Sequence, residues 1–240
     1  MLKTIDYSDT SLIVRLFTEQ FGKVTVIAKG ARRAKRASAG ILRPPNHIGV
    51  WYQHKEERDI QTLTKFEFVT RYSRLPSDLA KSASAMVTVE MLDRAVHDFD
   101  PHPILFRLVT STLRHLDQSE EDVAVILHFY QLQLSRQLGF APQLNTCMHC
   151  GQPITEAALD LTTGDLRCIR CLPEGALRLS PPAVDYLQDL GRTHITRLDT
   201  IHPAGQAKKE VGQFLLKYLF FHVDGMSNMK SMTFWRQVQA

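Results

Sequence analysis

Apolar and β-branched residues come in short runs over the first seventy positions and in longer, helically spaced stretches after them. Ser11-Leu12-Ile13-Val14-Arg15-Leu16-Phe17-Thr18 and Lys23-Val24-Thr25-Val26-Ile27-Ala28-Lys29 read as strands, and the Glu19-Gln20-Phe21-Gly22 link, with glycine at its end, suits a hairpin. Residues 2–7, 47–53 and 60–69 continue the pattern, giving about five strands in all. Five short strands around a loop predict a small closed barrel such as an OB-fold. Trp51 and Tyr52 are adjacent in one of these strands, so they point to opposite faces: one can be core and the other a stacking platform.

Beyond Leu75-Pro76 the period becomes helical. Ser77-Asp78 can cap a helix with Leu79, Ala83, Met86, Val87, Met91 and Ala95 on one face, and Pro101-His102-Pro103 breaks it and starts a second. Ser119-Glu120-Glu121-Asp122 reads as a capping box. The helix behind it carries Val123, Ile126, Leu127, Phe129, Tyr130, Leu132, Leu134 and Leu138, and Gly139 and Pro142 stop it. Being apolar on nearly every side, it is predicted to lie at the centre of its domain. Helices return at 181–190 and at about 204–222, where Val211, Phe214, Leu215, Tyr218 and His222 form a core stripe. The expected fold class is α+β. An N-terminal OB-fold β-barrel over 1–76 is followed by a helical domain over 77–240, interrupted at about 144–175 by a four-cysteine module.

That module holds all four cysteines of the chain, as Cys147-Met148-His149-Cys150 and Cys168-Ile169-Arg170-Cys171. Each C-x-x-C turn sets two thiolates on one side of a bend, and two facing bends offer four sulfurs in the tetrahedral arrangement that zinc accepts. With Cys147, Cys150, Cys168 and Cys171 as ligands the site is closed to an activated water, so a structural zinc is expected and no catalysis. His149 is then an exposed knuckle residue. Disulfides are the competing reading. The opening Met1-Leu2-Lys3-Thr4-Ile5-Asp6 has no basic segment leading into an apolar one, so a reducing, cytoplasmic location is expected.

Charge divides the chain unevenly. Residues 1–76 carry 14 Lys+Arg against 7 Asp+Glu, and residues 77–240 carry 15 against 18, so the parts are +7 and −3. From Gln20 to Lys55 there is no acid at all. Lys23, Lys29, Arg32, Arg33, Lys35, Arg36 and Arg43 within that span are the candidate DNA contacts, an anion-binding footprint spaced by Gly and Ala that cannot pack a core. The bland alternative is a solvated loop, but a merely solubilising surface usually mixes signs.

No phosphate-binding G-x-x-x-x-G-K-[ST] loop, G-x-G-x-x-G turn or G-x-S-x-G elbow occurs. His54-Lys55-Glu56 matches the first half of the zinc-deaminase signature, but Thr146 and Arg167 stand where proline should precede a cysteine pair. No apolar run is long enough to span a bilayer, the run from Phe214 to Phe221 being interrupted by Lys217.

Asp6-Tyr7-Ser8-Asp9, Leu16-Phe17-Thr18-Glu19, Gly22-Lys23-Val24, Ala28-Lys29-Gly30-Ala31-Arg32-Arg33, Leu42-Arg43-Pro44, Cys150-Gly151 and Lys230-Ser231-Met232 together resemble the bacterial recombinational repair family RecO. The resemblance spans almost the whole chain, and Ala28-Lys29-Gly30-Ala31-Arg32 is its most specific stretch. Asp9, in place of the more common glutamate, and Pro44-Pro45, in place of Pro-Phe, depart from it. It implies an OB-fold that binds single- and double-stranded DNA, a helical domain with an embedded structural zinc, and a location at the bacterial nucleoid. Such proteins are not enzymes in the metabolic sense. They anneal complementary strands and, with the partner RecR, help load recombinase onto DNA coated by single-stranded-DNA-binding protein. A zinc-containing RNA-binding or ribosome-associated adaptor would share the barrel and the basic loop, and is the alternative.

Overall fold

Every second residue of β2 (Leu12–Thr18) and β3 (Gly22–Ala28) is buried, as the pleat requires of a sheet with one face on a core. Leu12, Val14, Leu16, Val24, Val26 and Ala28 make that core, and Ile48, Val50, Tyr52, Leu63 and Phe66 pack around it from β4 (His47–Gln53) and β5 (Ile60–Thr70). With β1 (Lys3–Asp6) the strand order is β1-β2-β3-β5-β4, antiparallel throughout except for β3 against β5. The structure is a computed structural model, and it describes residues 1–32, 40–161, 163–172 and 174–239.

The barrel expected to close stays open among the described residues. β1 has four residues, all paired with β2, and segment 40–46 stands where a ladder to β4 would form. Thr4 Oγ1 donates to the Leu42 carbonyl and the Met1 amino group to the Asn46 carbonyl, each at 2.8 Å, in place of a ladder. A partly open five-stranded sheet remains within the OB type.

The helices are α1 (Leu79–Ala95), α2 (Pro103–Gln118), α3 (Val123–Gln137), α4 (Pro181–Arg192), α5 (Gly205–His222) and α6 (Lys230–Gln239). Packing groups them differently from the change of composition at residue 76. One compact unit is Met1–Asp117 with Met229–Ala240, the other Gln118–Asn228. In the first, Asp78 caps α1 by accepting the Lys81 N–H at 3.0 Å. α1 is buried around most of its circumference, not on one stripe, and Leu79 is exposed. Asp117 Oδ1 accepts the N–H groups of Arg74 and Leu75 at 2.8 and 2.9 Å, which fixes the chain as it leaves β5. α6 returns to α1: Glu90 accepts the Ser231 N–H at 2.9 Å, and the Trp235 indole donates to Ser84 Oγ at 2.8 Å.

In the second unit α3 is buried continuously from Ala124 to Leu132, as its all-round apolar sequence predicts. Its cap is Asp122, three residues later than the capping box places it, because Asp122 accepts the Ala124 N–H at 2.9 Å and pairs with Lys208 as well. Val211, Phe214, Leu215 and Tyr218 of α5 are core, and half-buried His222 stacks on Phe140 with centroids 4.7 Å apart. Three short strands, β6 (Ala157–Leu159), β7 (Leu166–Cys168) and β8 (Leu177–Leu179), form an antiparallel sheet in the order β7-β6-β8. No helix among the described residues is long and apolar enough to cross a membrane.

Candidate metal centre and nucleic-acid interface

The first cysteine pair sits on a turn closed by main-chain bonds. Cys147 N–H donates to Gln152 O and Gly151 N–H to Cys147 O, each at 2.9 Å, and Gly151 holds φ +69°, which a side chain would strain. β7 delivers the second pair: Cys168 ends the strand, a single 3₁₀ turn over Ile169–Cys171 follows, and Met148 N–H donates to Leu166 O at 3.4 Å across the two knuckles. Cys147 and Cys168 are thereby buried, Cys171 is half-buried and Cys150 exposed.

The four sulfurs lie within 4.8 Å of one another, the one group of metal-binding side chains of three or more members among the described residues. His54 is not in it, as the failed deaminase signature requires, and His149 is exposed and outside it too. A tetrahedral ion with thiolates at about 2.3 Å sets neighbouring sulfurs roughly 3.8 Å apart. Cys150 Sγ lies 3.7 Å from Cys168 Sγ, the spacing of co-ligands and far beyond a disulfide bond. Burial opposes ionisation of Cys147, but hydrogen bonds from the Cys168, Cys150 and His149 N–H groups outweigh it and bring its pKa down to about 6. The Cys171 thiol is pushed up to about 12, first by the Cys150 thiol, then by burial and the other two sulfurs. A divalent ion among four crowded sulfurs would favour all four as thiolates. The donor set fits a metal ion, which these four cysteines could hold.

Within the acid-free segment, two residues that flank the cluster of arginines and lysines reach the sheet's core. Ala31 and Leu42 are both buried in the same cluster as β2 and β3, so the span between them is anchored at its two feet. Lys29, Arg32 and Arg43, beside those feet, are exposed. Arg32 donates from Nη1 to the Ser8 carbonyl at 2.6 Å and faces the open carboxylate of Asp6 at 3.5 Å, which steadies the guanidinium without covering it. Arg33, Lys35 and Arg36 lie outside the described residues.

Lys23 differs from the rest. Its side chain is only 12% exposed, with Nζ 3.8 Å from Asp93, 3.6 Å from Asp98 and 3.0 Å from the Asp93 carbonyl. Arg15 meets the same Asp93 carboxylate at 3.0 Å. Lys23 therefore braces β3 against α1 and the loop after it, with its ammonium turned to carboxylates rather than to solvent. Its partners are some 70 residues distant in sequence, which is why the acid-free window concealed them. The structure also separates the two adjacent aromatics: Tyr52 turns inward with Ile48 and Val50, and Trp51 outward. The alternation of Ile48, Val50 and Tyr52 was the signal available for this.

Two family models cover the chain, Recombination protein O N terminal over residues 1–72 and Recombination protein O C terminal over 76–232. Among curated relatives, the DNA repair protein RecO of Bacillus pumilus is 28% identical over 242 residues, covering 100% of this chain and 93% of that protein. RecO of Salinibacter ruber is 29% identical over 239 residues, with 100% and 92% covered. RecO of Anaeromyxobacter dehalogenans is 30% identical over 218 residues, with 88% and 85% covered. An open five-stranded sheet, helices after it and a four-cysteine cluster thus coincide with matches to both halves of one family: the chain belongs to the recombination protein O family of DNA repair proteins.

Proposed function

We propose that this chain acts in recombinational repair by binding single- and double-stranded DNA through Lys29, Arg32, Arg33, Lys35, Arg36 and Arg43, annealing complementary strands, and helping to load recombinase onto DNA coated by single-stranded-DNA-binding protein. RecR and the single-stranded-DNA-binding protein are its partners in this reading, and the bacterial nucleoid its place of work. The observation that carries it is the basic span anchored in the core at Ala31 and Leu42, with Lys29, Arg32 and Arg43 exposed beside the anchors. Basic groups that neutralise phosphates on two strands reduce their repulsion and raise the local strand concentration, while base pairing supplies the driving force and reads the sequence. Nothing in that scheme requires turnover by the protein.

We infer that zinc is the ion held by Cys147, Cys150, Cys168 and Cys171, since four thiolates within 4.8 Å of one another select it over hard cations. Bound there it supplies folding free energy, with no ligand position left for a reacting water. The role is tested by annealing of complementary strands coated with single-stranded-DNA-binding protein. Faster annealing with the chain present is expected. An unchanged rate, or RNA outcompeting single-stranded DNA for the chain, overturns the reading in favour of an RNA-binding adaptor or a scaffold.

A further inference from the structure

We propose that Trp51 is a base-stacking platform for single-stranded DNA, with Lys65 as its accompanying cation. This rests on the DNA-binding reading above and adds to it a contact to bases that the basic loop does not make.

β4 is an edge strand of the sheet, so its outward face borders open solvent on one side. On that face Trp51 is 46% exposed, although an indole is among the side chains with most to gain from burial. Its neighbours Val50 and Tyr52 already fill the inward positions. The register of β4 against β5 shifts between Trp51 and Tyr52, the irregularity by which a strand re-aims a side chain. Lys65 pairs with Trp51 across the strands, and its Nζ lies over the indole face, 4.2 Å from the ring centroid and 3.2 Å from Glu67, so a base stacking on that face displaces the ammonium towards its own phosphate. Gly49, two residues back on the same face, adds no side chain of its own beside the benzo end of the indole, where its neighbours are the Glu67 side chain and the exposed Val69.

An aromatic face with a cation beside it is the chemistry that takes an unstacked base and its phosphate together. A duplex offers no base face outward, so the occupant is a single strand. Arg43 closes the basic segment just before β4, and Trp51 lies four residues beyond His47, roughly 13 Å along the strand.

The test uses the full chain carrying Trp235→Phe, so that Trp51 is the only tryptophan of the two left to fluoresce. An oligothymidine and an abasic oligonucleotide of equal length carry the same phosphates, but only the first can stack. Quenching of Trp51 by oligothymidine and not by the abasic strand is expected. In the otherwise natural chain Trp51→Ala should weaken oligothymidine binding roughly 5- to 100-fold. Its affinity for the abasic strand should be unchanged, and Trp51→Phe should restore part of the loss. Binding of both oligonucleotides with a silent indole, or equal losses on both in Trp51→Ala, overturns the stack alone. Failure of both oligonucleotides to bind overturns the phosphate grip and the stack together.

Discussion

Lys23 and Lys29 flank one short strand, carry the same charge and meet opposite fates. Lys23 is enclosed by Asp93 and Asp98, and Lys29 stands in solvent. Lys23→Met is therefore expected to cost about 1–3 kcal/mol of stability, because it leaves Asp93 with Arg15 as its one remaining cation. DNA affinity per folded molecule should stay as it was; denaturant melts beside binding isotherms check both halves, and a fall in affinity returns Lys23 to the interface. The cysteines predict a different loss. Cys147→Ser removes a buried ligand whose thiolate is already favoured by three N–H groups, so elemental analysis should find the zinc gone and the thermal midpoint lowered. His128 sets a pH limit. Burial among α3, α4 and α5, only partly offset by Asp122, lowers its pKa to about 4 from an ordinary value near 6.5, with Nδ1 on the Tyr186 hydroxyl at 3.0 Å. The folded protein resists the proton that the unfolded chain accepts, so the group contributes nothing above pH 6.5 and destabilises progressively as pH falls towards 4, by about 3 kcal/mol in full. Urea melts at pH 8 and pH 5 should show about 2 kcal/mol of that loss in the natural chain and less in His128→Gln; equal losses in the two would place the acid sensitivity elsewhere.

At the scale of elements, local chemistry made much of the fold legible. The five strands follow β-branched runs to within a residue or two, and the glycine ending the β2–β3 link, Gly22, sits at φ +65°. Its second constraint could not be read from sequence: a Cβ there would lie 2.3 Å from the Asp100 carbonyl oxygen, because the α1–α2 loop crosses directly over it. Gly22→Ala should thus cost about 2 kcal/mol or more, strained backbone and steric overlap together, visible as a lower denaturation midpoint; a neutral outcome would mean the loop is free to lift. The features that escaped the sequence share this origin. Barrel closure, the parallel pairing of β3 with β5, and the return of α6 to α1 depend on partners far along the chain, and local period carries no information about them. Leu79 is exposed although it fits the helical stripe, because α1 is enclosed on nearly all sides after its first turn and the stripe describes only one. The cysteine knuckles were legible for the converse reason. Two residues between ligands fix both on one turn, and pairing of β6 with β7 then brings the second turn to the first.

Over the whole molecule, charge is the property that the proposed activity uses. The +7 of residues 1–76 and the −3 of the remainder put the attraction for polyanions in the sheet unit. With Lys23 held by its aspartates, six candidates remain for phosphates: Lys29, Arg32, Arg33, Lys35, Arg36 and Arg43. Each phosphate neutralised on a single strand releases condensed counterion, so six contacts correspond to a slope of log affinity against log salt of about −4. Reversing the charge of Lys29 and Arg43, the two exposed flanks of the segment, should weaken binding evenly across sequences and reduce that slope by about 1 to 2, since a phosphate contact carries no base information. Titrations of unrelated single strands at several salt concentrations measure both quantities. A slope near zero would mean that phosphates are not what this segment holds, and a loss confined to some sequences would mean that it reads bases; either result removes the electrostatic basis for annealing, because strands are brought together only by a surface that does not distinguish them.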